Sequence, residues 1–380
     1  MNILASLVRS KRLSLFLSGM GLVVALHAAS GWSWAQAPDT AAPLEEREQA
    51  AVEADSGLDA APDAAVEASP DVTTVEPTDA SATTPESSDA SGTSGIRFGE
   101  TRTVRLKVGI RIKTGGECKG IDASVPIPMD WPEQEVRVVE EEISADVRGV
   151  DYRTLEGGVK QMLLSIPRLG KKETCEAILT LDIDRKVILP PERTDIYQVP
   201  KTVPRDVKRF LGDSPYIESR HPKIRTLARE IVKDKPNGWA QAEAIYDYVR
   251  ANVEYRESDL KGAVDALKDK VGDCEAMTSL FVALCRAAKI PARMVWVTDH
   301  SYPEFYLVDD QNKGHWFPCQ ISGGRAFGEM PETRPILQKG DNYRVPESKE
   351  RRRYVAVQLT ATAVRGGSPR IEEIVEQGSP

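Results

Sequence analysis

The chain has 380 residues, 41% of them hydrophobic, enough for two ordinary domains with cores of their own. Its formal net charge of −8 is unevenly spread. Residues 38–95 hold fourteen acids against one base, Arg47, and the first 35 residues carry three bases, so the remainder stands at +2 and offers no nucleic-acid footprint.

At the N-terminus, Arg9, Lys11 and Arg12 precede an apolar run from Leu13 to about Ala29, and Ser33-Trp34-Ala35 supplies the small-x-small pattern of a signal-peptidase site. Residues 1–35 are therefore expected to be a signal peptide and the protein to be exported, to the periplasm, the cell surface or the medium. The run is close to the lower length limit for crossing a bilayer, so an uncleaved segment would instead attach the chain to a membrane. Residues 36–97 are rich in Ala, Asp, Glu, Ser, Thr and Pro and lack aromatic side chains, so they are expected to form a disordered acidic linker that cannot bury enough surface to offset its ordering entropy.

Residues 98–195 read as an antiparallel β-domain, a sandwich. Val104, Leu106, Val108, Ile110 and Ile112 alternate with polar residues or glycine, the period-two signature of a half-buried strand, and Gly115-Gly116 then turns the chain. Cys175, Ala177, Leu179, Leu181 and Ile183 repeat that signature, with shorter strands at 135–139 and 161–166 and a close at Pro190-Pro191. No set of catalytic residue types gathers there. Five cysteines leave at least one thiol free, and Cys118 with Cys175 is the pair available for a disulfide. Such a bridge would be worth roughly 4 kcal/mol in the chain-entropy model.

Helical periodicity takes over after Ser214-Pro215, and the core expected over 200–330 is α+β, helices packed on an antiparallel sheet. His221-Pro222 opens a helix bearing Ile224, Leu227, Ala228 and Ile231 on one face, a second helix runs from about Ala240 to Asn252, and a third starts near Cys274 with Met277, Leu280, Phe281, Leu284, Cys285 and Ala288 as its apolar stripe. Strands follow at 292–297, 304–308 and 315–318, with a turn over 309–314. Residues 331–380 are expected to add one strand, from the alternation of Val355 through Ala363, and a frayed tail. The basic run 349–353 reads as a solvated face.

Cys274 stands at the mouth of its helix, where free N–H groups and the dipole favour a thiolate. That effect is typically about 0.3–1 kcal/mol, too little without a nearby base. Signal removal deletes His27, leaving His221, His300 and His315. His221 reads as a helix-start residue and His315, beside Trp316, as a packed or surface histidine. His300 lies where a loop feeds a strand, the placement that lets a side chain reach into a cleft.

Gly272-Asp273-Cys274 on a helix running to Ile290-Pro291-Ala292-Arg293, then His300-Ser301-Tyr302-Pro303-Glu304-Phe305-Tyr306, then Gly314-His315-Trp316-Phe317-Pro318-Cys319-Gln320, resemble in order the motifs of the transglutaminase-like core, part of the papain-like superfamily. The resemblance covers about residues 215–325. It implies Cys274 as nucleophile and His300 as base, and it puts Gln320 where the family has aspartate. A glutamine carbonyl can accept the imidazole N–H and set its tautomer but adds no negative charge, so a thiolate–imidazolium pair would rest on mutual attraction and the helix terminus. Glu304 lies about 13 Å along the strand from His300, a poor substitute; Asp299 and Asp309 remain open.

The function so implied is cysteine-dependent acyl transfer through a Cys274 thioester: hydrolysis of peptide or isopeptide bonds in a protein or peptide substrate, with protein crosslinking or deamidation as the alternative and an inactive binding or scaffold module as another. No cofactor and no metal are implied. Cys274, His300, His315 and Cys319 could nominally ligate a metal, but they lack the paired short spacings of structural zinc sites. Cys285 reads as core, and Cys319 faces away from Gln320 by strand alternation.

Overall fold

The computed structural model describes residues 95–379 and, for the backbone alone, 23–27. The remainder of the expected signal peptide and nearly all of the linker lie outside the described residues. Strand β1 (Val23–His27) pairs antiparallel with a strand near the C-terminus. After it come β2 (Arg97–Lys113), β3 (Glu117–Ile127), β4 (Gln134–Ile143), β5 (Gly149–Leu155), β6 (Val159–Leu169) and β7 (Thr174–Leu189).

Short helix α1 (Arg205–Lys208) leads to α2 (Pro222–Val232) and α3 (Gly238–Asn252); β8 (Glu254–Tyr255), α4 (Ala263–Asp269) and β9 (Val271–Gly272) precede α5 (Cys274–Ala287). The remaining strands are β10 (Ala292–Val297), β11 (His300–Val308), β12 (Gly314–Gln320), β13 (Ala326–Phe327), β14 (Ile336–Lys339), β15 (Tyr343–Arg344), β16 (Arg351–Arg352), β17 (Gln358–Arg365) and β18 (Arg370–Gly378). The fold class is α+β.

Two antiparallel sheets, ordered β1-β17-β3-β6-β5 and β18-β2-β7-β4, share one interior. Leu106 to Ile112 on β2 and Cys175 to Ile183 on β7 turn alternate side chains onto Ile121 and Val125 of β3, Met162 and Leu164 of β6, and Leu359 of β17. Cys118 and Cys175, the pair left open for a disulfide, are both buried and unbridged. They enter that interior from different sheets, and the Cys118 thiol sits 3.8 Å from the carbonyls of Gly116 and Gly367.

The second layer system is the sheet β13-β12-β11-β10-β14 with α5 packed on it and α2, α3 and α4 around that helix. Three of the helices start where short polar side chains accept an orphan N–H: His221 from Lys223 (3.3 Å), Asn237 from Ala240 (2.8 Å) and Asp273 from Ala276 (2.8 Å). The stripe Met277, Leu280, Phe281, Leu284 and Cys285 is buried against Phe305 and Phe317 of the sheet and Ile245 and Val249 of α3.

The C-terminal segment differs from its expected single strand and frayed tail. Residues 370–378 pair along β2, and Gln358–Arg365 pairs with β3, so both return to the sandwich. Glu373 sits between Ile371 and Val375 on one face of β18, and Ile374 is buried on the other, so neither face shows a clean apolar period. Glu372 holds the strand in register by pairing with Arg111 and Lys113, each at 2.8 Å.

The sandwich and the core are tied by buried polar contacts. Ile188 of β7 forms an antiparallel bridge with Met330, and Arg185, 1% exposed, donates to the carbonyls of Glu133 and Arg334 at 3.1 Å each. Lys339 of β14 pairs with Glu133 and, at 2.6 Å, with Glu304 of β11.

Candidate active site

Asp273 ends the extended segment of β9 and caps α5, so Cys274 occupies the first helical position with its own N–H free of the helix ladder. Gly272 is required there by close approach: a Cβ would lie 2.7 Å from the Cβ of Ala276. Cys274 is half-buried, and its sulfur sits at Ser301, whose N–H and hydroxyl both favour the thiolate. The buried hydroxyl makes no hydrogen bond to any other group by distance among the described residues, which leaves it free to turn to the sulfur.

Ser301 adjoins His300, which enters β11 after the tight turn Thr298-Asp299, where Asp299 takes φ +56°. Strand β12 runs antiparallel to β11 and ends at Gln320. The Gln320 carbonyl is held by the Tyr246 hydroxyl (2.8 Å) and Arg250 (3.1 Å), both from α3. Its side-chain Oε1 lies 2.7 Å from His300 Nε2, and its Nε2 donates to Glu332 at 2.7 Å. Because Oε1 can only accept, His300 carries its proton on Nε2, and Nδ1 is the ring nitrogen left to accept another.

The electrostatics run against a preformed ion pair. Burial pushes the Cys274 thiol up to about 11, with the Ser301 donors pulling it down and the Asp273 and Glu275 carboxylates pushing it further up. Burial also lowers His300, offset by the Gln320 hydrogen bond and the nearby Glu332 charge, while Arg334 lowers it. Both shifts favour the uncharged thiol and imidazole, against the thiolate–imidazolium pair considered from the sequence. Desolvation of two partly enclosed groups outweighs the helix terminus, whose positive end already faces the carboxylates of Asp273 and Glu275.

The other sequence candidates fall elsewhere. Glu304 is fully engaged by Arg293 (2.6 Å) and Lys339 (2.6 Å), which overcome the raising effect of its burial and hold its carboxyl down at about 2. Asp309 pairs with His315 at 2.9 Å and also accepts the N–H groups of Gln311 and Lys313, closing the β11–β12 turn. His315 packs edge-on to Tyr197, its centroid 5.8 Å away. Asp299 is exposed in its turn. Cys285 and Cys319 are fully buried in the core, and among the described residues no three His, Cys, Asp or Glu side chains converge on a metal position.

Two residues at the site escaped the sequence reading. Ser301 was legible only as part of a motif, since its role depends on where its backbone meets α5. Glu332 lies twelve residues past Gln320 in the loop between β13 and β14 and carries no local signal. Tyr255, exposed at the β8–β9 pair, borders the same helix mouth.

Residues 225–321 match the family model of the transglutaminase-like superfamily. An uncharacterized protein of Haemophilus influenzae is 23% identical over 181 residues, 45% of this chain, and the chain spans about half the length of that relative (48%). A crystal structure of a "putative cysteine protease" from Cytophaga hutchinsonii superposes with a TM-score of 0.53 at 18% identity, covering 75% of this chain and 92% of that one. At that identity the likeness speaks for the fold, and it extends over sandwich and core together. A helix that begins at Cys274 and packs on an antiparallel sheet, with the match over 225–321, makes this a chain that carries a transglutaminase-like domain over those residues.

Proposed function

We propose that the protein is a cysteine-dependent acyl-transfer enzyme that hydrolyses peptide or isopeptide bonds of a protein or peptide substrate. The observation that supports this reading is the Cys274 thiol at Ser301, next to a His300 whose Nε2 is bound by Gln320 at 2.7 Å. With the resting pair neutral, His300 Nδ1 takes the thiol proton as Sγ attacks the substrate carbonyl carbon. The Cys274 N–H, free at the helix start, faces the developing oxyanion. His300 then returns the proton to the departing amine, leaving a thioester. Water attacks the thioester with His300 again as base, releasing the acid and restoring the thiol. A substrate lysine in place of water would give a crosslink, and a glutamine side-chain amide as substrate would give deamidation.

Alkylation with iodoacetamide tests the pairing. The other four cysteines are buried, so preferential labelling of Cys274 follows from exposure alone and decides nothing. Dependence on the base does: His300→Ala is expected to slow labelling, and to slow turnover by about 10²–10⁴. Labelling equal in wild type and His300→Ala would favour the noncatalytic scaffold reading, which the raised thiol pKa supports. Free-amine release, ammonia release and amine incorporation, measured side by side on a protein mixture, separate hydrolysis from deamidation and crosslinking. The proposal places the enzyme outside the cytoplasm on the sequence of residues 1–35.

A further inference from the structure

We infer that Glu332 is a positioning residue of this site: its carboxylate orients the Gln320 amide so that oxygen faces His300, and the β-sandwich holds Glu332 in place to do so. The inference rests on the catalytic reading of Cys274 and His300.

An aspartate in the third position has two equivalent oxygens and accepts from imidazole in either orientation. An amide does not. Rotated by half a turn, Gln320 would present its NH2 to His300 Nε2, which would then have to accept, and the imidazole proton would move to Nδ1. In that tautomer Nδ1 cannot take the proton of Cys274. Something must therefore distinguish the two ends of the amide.

Glu332 does so, because an ionised carboxylate only accepts. One oxygen receives Gln320 Nε2–H at 2.7 Å; the other faces Arg334 Nε at 3.2 Å. The flipped amide would set two oxygens against each other at that spacing and forfeit a charge-assisted hydrogen bond. The charged groups bearing on His300 are these two, Glu332 and Arg334, with the Cys274 thiol at the neighbouring Ser301.

The loop that carries Glu332 is fixed from the sandwich. Met330, two residues before it, exchanges both backbone hydrogen bonds with Ile188 of β7 at 2.9 and 3.0 Å, and the carbonyl of Arg334, two residues after it, accepts from the buried Arg185. Arg334 in turn reaches the carbonyl of Thr298, just before the His300 turn, at 3.5 Å. The all-β layer thus sets the tautomer of the base.

The test uses the full chain with labelled histidine, reading the protonated ring nitrogen of His300 by long-range 15N–1H spectra and the rate of Cys274 alkylation across pH. Glu332→Gln keeps shape but lets position 332 donate or accept, so the amide loses its preference. His300 is expected to become a tautomer mixture, with alkylation falling in proportion, roughly two- to tenfold. The double swap Gln320→Glu/Glu332→Gln reverses the polarity of the pair, letting a carboxylate accept from His300 while the amide at 332 donates to it. It is expected to restore the single Nε2–H tautomer, recover the rate and raise the His300 pKa. An unchanged tautomer in Glu332→Gln, or a double swap no better than the single variant, overturns the inference. The tautomer is read without any reaction, so it stands apart from the catalytic reading, which fails instead if His300→Ala leaves alkylation unaffected.

Discussion

Cys274 combines a favourable position with an unfavourable environment. The helix start and two Ser301 donors favour a thiolate, yet burial and the flanking acids leave the thiol near 11. In His300→Ala, where no base assists, alkylation should therefore accelerate close to tenfold per pH unit from neutrality to about pH 10, without a plateau, as measured by stopped-time mass spectrometry; a plateau near pH 7 would mean a thiolate preformed without the base. Asp273 acts on both stability and reactivity. Its side chain caps α5 while its charge raises the thiol pKa, so Asp273→Asn, which retains the cap, should speed alkylation with little change in the unfolding midpoint. Asp273→Ala should also speed it but cost about 1 kcal/mol, read from urea unfolding.

Strand β11 carries His300 at its entrance and a structural acid at its centre. Glu304 lies between Arg293 on β10 and Lys339 on β14, and its carboxyl is held at about 2 against an ordinary value of 4.5. A carboxyl whose folded pKa is depressed contributes stability that is complete above about 4.5 and disappears as pH falls toward 2, on the order of 3 kcal/mol over that window. Glu304→Gln should flatten the dependence of unfolding free energy on pH between 4.5 and 2. At neutral pH it should cost about 3 kcal/mol, because Arg293 loses its carboxylate partner and Lys339 keeps only Glu133. Equal slopes for wild type and variant would remove Glu304 from the account. Helix α5 depends on the same kind of anchorage: Arg286 in its last turn is fully buried, donating to the Asp341 carboxylate at 2.7 Å and to the Ala292 carbonyl.

At the scale of the molecule, the transglutaminase-like core is inserted into the sandwich, since β2 through β7 precede it and β17 and β18 follow it. The two layers share Arg185, Glu133, Lys339 and the Ile188–Met330 bridge, so they should unfold together. Removing residues 369–380 strips β18 from the edge of β2, exposing the strand and unpairing Arg111 and Lys113 from Glu372. Calorimetry of that truncation should show one transition at lower temperature for sandwich and core alike; two resolved transitions would show that the layers fold independently.

Local chemistry was enough to place much of this structure from the sequence alone. His221 before Pro222 and Asp273 before Cys274 are caps whose partners lie within three residues, and β2 and β7 announce themselves by strict alternation because one face of each is buried. The order of Cys274, His300 and Gln320 was equally legible, since each sits at the end of a recognisable element, and the structure brings the latter two within 2.7 Å. Tertiary structure decided the rest. The polar Glu373 on a partly buried face hid β18, the interior kept Cys118 and Cys175 apart as thiols, and desolvation raised the Cys274 thiol and lowered the His300 imidazole against the pull of the helix terminus. Glu332 acquires its place only through contacts with Ile188 and Arg185, more than a hundred residues earlier in the chain. Caps and periodicity are interactions between neighbours in sequence; burial and the orientation of an amide depend on groups that meet only after the chain has folded.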